Sequence, residues 1–129
     1  MLMRYSKDLF AGKTNPSGVS VESSRFVISP QDVDGDGNNT FKLFVNLEVV
    51  NATNGATTDV ILQGSVDGTH WLTLVTSAQV ANSGNLTQIA DVDVMYSYVK
   101  ATLRRNGIAA TCTYTIHLVS DSPFSLLVK

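Results

Sequence analysis

Asp32, Asp34 and Asp36 stand at alternate positions in Asp32-Val33-Asp34-Gly35-Asp36-Gly37-Asn38. Carboxylates spaced this way, with glycines to permit sharp turns, can wrap oxygens round a calcium ion. The same residues suit an acidic, solvated turn in which Asp and Asn side chains bond local backbone. His70 and His117 are the only imidazoles, so any general base of that type must be one of them. His117 lies on the polar face of a strand pattern, between Ile116 and Leu118, and His70 precedes Trp71 at a turn exit. GxSxG, HExxH, P-loop and GxGxxG motifs are all absent from the sequence. The expectation is a chain that is not an enzyme.

Two other groups carry recognition chemistry. Trp71 with Tyr96, Tyr98 and Tyr114 could stack on the C–H faces of sugars, although a Trp within HWLTL more commonly fills a sandwich core. Arg104 and Arg105 lie beside a hairpin turn, where they could pair with carboxylates on a partner or simply solvate a strand end. The net charge of −2 argues against a nucleic-acid partner, which would need a basic face. No run approaches the roughly 20 apolar residues of a membrane-spanning helix. Cys112 is the only cysteine, which excludes an intrachain disulfide and predicts an inert thiol inside a strand. The first residues, MLMRYSKDLF, carry charge where a secretory signal would need an unbroken apolar run, so synthesis in a cytoplasm is expected.

The elements that must position these groups read as strands. Apolar residues make up 43% and charged residues 16% of the 129, the remainder being rich in Thr, Ser, Asn and Gly, a strand-and-turn composition. Thr40–Val50 is the clearest strand: Phe41, Leu43, Val45, Leu47 and Val49 alternate with Lys42, Asn46 and Glu48. In the strand Val19–Ile28, the alternation begun by Val19 and Val21 restarts at Phe26 and Ile28, and Pro30 ends it. Thr57–Val66 and His70–Thr76 flank Asp67-Gly68-Thr69, and Val60, Leu62, Trp71, Leu72 and Leu74 are available for a core. A short strand at Leu86–Ala90 precedes Tyr96–Arg105. In Ala110–Ser120, Cys112, Tyr114, Ile116 and Leu118 point inward. About seven short strands with frequent turns predict an all-β, antiparallel β-sandwich, Ig-like or jelly-roll-like. The sandwich is expected over residues 19–121, between an N-terminal arm at 1–18 and a C-terminal arm at 122–129.

Two segments add a family resemblance. Leu62-Gln63-Gly64-Ser65, Asp67-Gly68-Thr69, Trp71 and Leu74 form a run that resembles a motif of small β-sandwiches in phage virion proteins and in discoidin-type carbohydrate-binding modules. Tyr96-Ser97-Tyr98-Val99-Lys100-Ala101-Thr102-Leu103 looks like the strand that accompanies it. The chain before the motif is shorter than a discoidin-type module needs, and the ligand loops of that family have no match here. The phage proteins are closer in size, low charge and Thr-rich strands. That resemblance implies a virion location and a capsid decoration (cement) protein. Such a protein would bridge neighbouring subunits of the major capsid protein, or other virion subunits, as a trimer or another cyclic homo-oligomer. The contact residues expected on this reading are Met1, Leu2, Met3, Tyr5, Leu9, Phe10, Phe124, Leu126 and Leu127, with Arg104 and Arg105 secondary. A glycan-binding or adhesion module is the alternative.

The acidic loop also resembles the DxDxDG loops of EF-hands and hairpin calcium sites. An EF-hand would place Glu where Leu43 stands, and a hairpin loop would place Asp at Thr40. No resident cofactor is expected, with weak calcium at Asp32, Asp34 and Asp36 as the alternative.

Overall fold

The structure, a computed structural model, describes residues 5–16, 20–30, 40–52, 56–81, 83–92, 97–106 and 109–128. Its strands are β1 (Tyr5–Pro16), β2 (Val21–Glu22), β3 (Phe26–Pro30), β4 (Phe41–Ala52), β5 (Thr57–Ser65) and β6 (Leu72–Thr76). They continue as β7 (Val80–Ala81), β8 (Gly84–Val92), β9 (Tyr98–Asn106), β10 (Ala109–Ser120) and β11 (Phe124–Val128). Among the described residues there is no helix.

Period-two alternation builds the first sheet around β4 and β10. Phe41, Leu43, Val45, Leu47 and Val49 stand beside Cys112, Tyr114, Ile116 and Leu118 on the inner face of this sheet, all almost fully buried. Cross-strand pairs such as Leu43↔Leu118 and Val45↔Ile116 fix the register, because a one-residue slip would turn every apolar side chain to water. The sheet order is β1-β10-β4-β8. The second sheet runs β11-β3-β9-β5-β6, with β2 also paired to β9 and β7 to β5. Its central strands bury Val60, Leu62, Val99, Ala101 and Leu103 without measurable exposure. All pairings are antiparallel, and the two inner faces form one core, as in a β-sandwich.

The terminal segments depart from the expected arms. Tyr5–Pro16 is an outer strand paired along β10, from Tyr5↔Ser120 to Pro16↔Thr111, and Phe124–Val128 is an outer strand on β3. The sandwich therefore takes in both segments that the sequence reading set outside it. Register shifts between Asp8 and Phe10 and between Phe10 and Lys13 explain why β1 is hard to read. A pleat sends consecutive side chains to opposite faces, so burying both Leu9 and Phe10 requires such an irregularity. Edge-to-face aromatic pairs anchor both strands: Phe10 on Tyr114 at 5.1 Å and Phe124 on Phe41 at 5.3 Å.

The strand expected over Val19–Ile28 is interrupted. Three residues lie between Glu22 and Phe26, while two lie between their partners Thr102 and Val99. The extra residue is accommodated by Ser23, whose N–H donates to the Ala101 carbonyl and whose hydroxyl accepts from the Ala101 N–H at 2.9 Å. The restart of alternation at Phe26 is this bulge seen in sequence. Another departure concerns HWLTL: Leu72 is 55% exposed and Trp71 is half-buried outside the core, while Leu74 packs against it.

Candidate functional site

Of the residues expected to meet a partner, the structure separates two sets. Leu9, Phe10 and Phe124 belong to the protein's own core, so in this fold they cannot serve as contacts. Tyr5 (38% exposed) and Leu127 (53%) remain on the surface of the terminal strands with Val128 (66%), and Leu126 is half-buried against the core. Met1, Leu2 and Met3 lie outside the described residues, as do Tyr96 and the acidic loop with Asp32, Asp34 and Asp36. β1 and β11 come together along one side of the sandwich, and β8 meets β6 and β7 along the other.

The two arginines lie on opposite sides of β9 in different surroundings. Arg104 sits opposite Asp59 on the outer face of the second sheet. Its Nε and Nη2 donate to Asp59 Oδ1 and Oδ2 at 2.8 and 2.7 Å, a two-pronged pair. The bond to Asp59 raises the Arg104 pKa, and Asp59 itself is only 2% exposed. Arg105 falls on the opposite side of β9, as alternation requires, and is 6% exposed in the interior. Burial pushes the Cys112 thiol and Tyr114 hydroxyl upward from their ordinary pKa values, while the Arg105 charge pulls both downward.

The turn after β5 is built by Asp67. Its Oδ1 accepts from the backbone N–H groups of Thr69 and His70, both at 2.8 Å, and from the Ser65 hydroxyl at 2.9 Å. Its Oδ2 lies 2.7 Å from His70 Nδ1. Gly68 holds φ +77°, a left-handed conformation that glycine adopts without strain. Arg25 donates to the Gly68 carbonyl at 2.8 Å, and the Tyr98 ring lies over the same residue. Ser65, Asp67 and His70 are the residue types of a hydrolase triad, but the connectivity is wrong. Ser65 is buried and donates to the carboxylate rather than to the imidazole, so nothing activates it as a nucleophile. This is a turn-fixing device.

The hydrogen bonds from His70 and Thr69 hold the Asp67 carboxyl well below the usual carboxylate range, the His70 N–H contributing most. A depressed folded-state pKa stabilises the fold fully above the unfolded-state value near about 4 and progressively less as pH falls below it. Asp67→Asn keeps the Oδ1 acceptor but not the charge. Its melting temperature should therefore lie below that of the wild type at pH 6, with a narrower gap at pH 2. An equal gap at both pH values would show that the charge contributes nothing.

Trp71 is the centre of a second polar cluster on the outer face of the second sheet. Lys100 Nζ lies 4.5 Å from the Trp71 ring centroid and 3.4 Å from Glu22 Oε1. The Lys100 side chain is 14% exposed, so the cation–π contact is partly desolvated. Gln63 pairs with Lys100 in the sheet and Ser65 with Tyr98. The face thus combines two aromatic side chains, Trp71 and Tyr98, with amide, hydroxyl and charged groups, and one side of the Trp71 ring is already covered by Lys100.

On the outer face of the first sheet, His117 stacks on Phe44 at 5.5 Å and pairs with Asp8 of β1. Sequence reading placed His117 on the polar face but missed its partner. Asp8 meets His117 only through the β1–β10 register. Asp59 and Glu22 were missed for the same reason. Among the described residues, no three His, Cys, Asp or Glu side chains gather as a metal-binding group, and no helix is long and apolar enough to cross a membrane. No protein-family model matches the chain, and no curated protein matches it either.

Proposed function

We propose that the chain is a non-enzymatic structural protein of a phage virion, a decoration subunit that sits on the shell as a cyclic homo-oligomer and bridges neighbouring capsid subunits. The observation that carries this reading is the placement of both terminal segments as outer strands, β1 and β11, along one side of the sandwich. Outer strands offer unpaired backbone groups for continuing a sheet into a neighbour. Tyr5, Leu127 and Val128 add exposed apolar area on those same strands. The resemblance of the Leu62–Leu74 run to small phage sandwiches supplies the virion setting. Light scattering on the purified chain tests the first requirement. The expected result is a stable oligomer across dilution, and a monomer at every concentration would overturn the reading.

A glycan-binding module is the second reading, favoured by Trp71 standing outside the core beside Lys100, Glu22 and Gln63. Titration with soluble oligosaccharides separates the two. Saturable quenching of Trp71 emission would support the binding module, and unchanged emission would count against it.

A further inference from the structure

The outer strands of the two sheets are protected to different degrees, and one carries none of the usual edge-blocking devices. β1 carries two register shifts, the exposed Lys7 and a Pro16 that has no N–H to offer. β6 and β11 span five residues each, and β6 contains a register shift against β5. These are the devices by which sheet edges avoid unwanted pairing. β8 has none of them. It runs nine residues, GNLTQIADV, in unbroken register with β4 from Val49↔Gly84 to Phe41↔Val92. It contains no Lys, Arg or Pro, and among the described residues β4 is the strand it pairs with in its sheet. Ile89, on its outer face, is 59% exposed.

We infer that β8 is a self-pairing edge: its occupant is β8 of a second copy, joined antiparallel about a two-fold axis into one continuous eight-stranded sheet. The inference rests on the assembly reading above but assigns self-association to β8, leaving β1 and β11, on the other side of the sandwich, for the capsid subunits. The pleat dictates the register. Side chains on the wet face must meet side chains on the wet face, so residues of like parity pair. Full overlap of the nine residues then centres the axis on Gln88. Thr87 meets Ile89 of the second copy, a pairing of β-branched side chains suited to a sheet surface. Asn85 meets Asp91 of the second copy, an amide opposite a carboxylate. Asp91 is held by Lys42 in its own chain, and Asn85 lies beside Glu48. Reading across the joined strands, the row is Lys42, Asp91, then Asn85 and Glu48 of the second copy. No two like charges stand directly opposite one another.

Alternating hydrogen-bonded pairs over nine residues supply about eight to ten new backbone hydrogen bonds. Because the same strand serves both partners, the contact is isologous and closes on itself. The smallest assembly is therefore a two-fold dimer, in place of the trimer that the phage resemblance implies. A heterologous β8–β1 contact would instead have to pair a straight strand with a bulged one.

Opposite substitutions at Asn85 test the register. Asn85→Asp places a carboxylate directly across from Asp91 of the second copy, twice per dimer. Asn85→Lys places a cation there. The dimer dissociation constant, read by light scattering on dilution, should rise about tenfold in the first variant and fall by a similar factor in the second. Circular dichroism on the same samples establishes that both remain folded. An oligomeric wild type whose dissociation constant neither variant moves overturns the β8 pairing and leaves the assembly reading standing. A wild type that is monomeric throughout overturns both.

Discussion

Phe10→Ala is expected to lower the free energy of unfolding by about 3 kcal/mol, the cost of emptying a buried aromatic site. Phe10 is 8% exposed and meets Tyr114 edge to face at 5.1 Å, with an interplanar angle of 82°. Its removal takes away apolar burial, an aromatic pair and the main anchor of β1 on β10. Urea unfolding followed by Trp71 fluorescence gives the number. Leu127→Ala, on an exposed site, is the control and should change stability by less than about 0.5 kcal/mol. The contrast bears on what the N-terminal segment is. A flexible arm that orders only on a neighbour would show no stability loss from Phe10→Ala in the isolated protein. A strand of the sandwich shows nearly all of it. For the same reason, deleting residues 1–10 would remove core side chains as well as contacts. Substitution of exposed groups is therefore the cleaner way to probe assembly.

How much of this was legible depended on whether a residue's role was local. The inward faces of β4 and β10 follow from alternation within each strand, and the structure places Phe41–Val49 and Cys112–Leu118 as that alternation requires. β1 and β11 were not legible as strands. Leu9 and Phe10 are adjacent in sequence and both buried, which no regular pleat allows, and only the register shift against β10 reconciles them. Phe124 is isolated in sequence and becomes core only by reaching Phe41 of the other sheet. Trp71 illustrates the converse. Its type and its neighbours Leu72 and Leu74 favoured a core position, but it follows the Asp67 turn directly and comes to rest on the outer face beneath Lys100. The ion pairs were the least legible, since Asp8–His117, Glu22–Lys100 and Asp59–Arg104 join residues brought together by strand pairing alone.

The Asp59–Arg104 pair should therefore show an asymmetry that sequence alone would not suggest. The Asp59 side chain is 3% exposed, whereas that of Arg104 is 43% exposed. Arg104→Ala strands a buried carboxylate, and the expected loss is about 2 kcal/mol. This figure lies below the roughly 3–5 kcal/mol of a fully buried pair because water already reaches the guanidinium. Asp59→Ala leaves an arginine that can hydrate, at an expected cost of about 1 kcal/mol. Adding Asp59→Asn to Arg104→Ala should restore part of the lost stability, because the stranded group is then neutral. Equal losses for the two single alanine variants would mean that Asp59 is solvated in solution. The outer face of the second sheet would then be held without help from this pair.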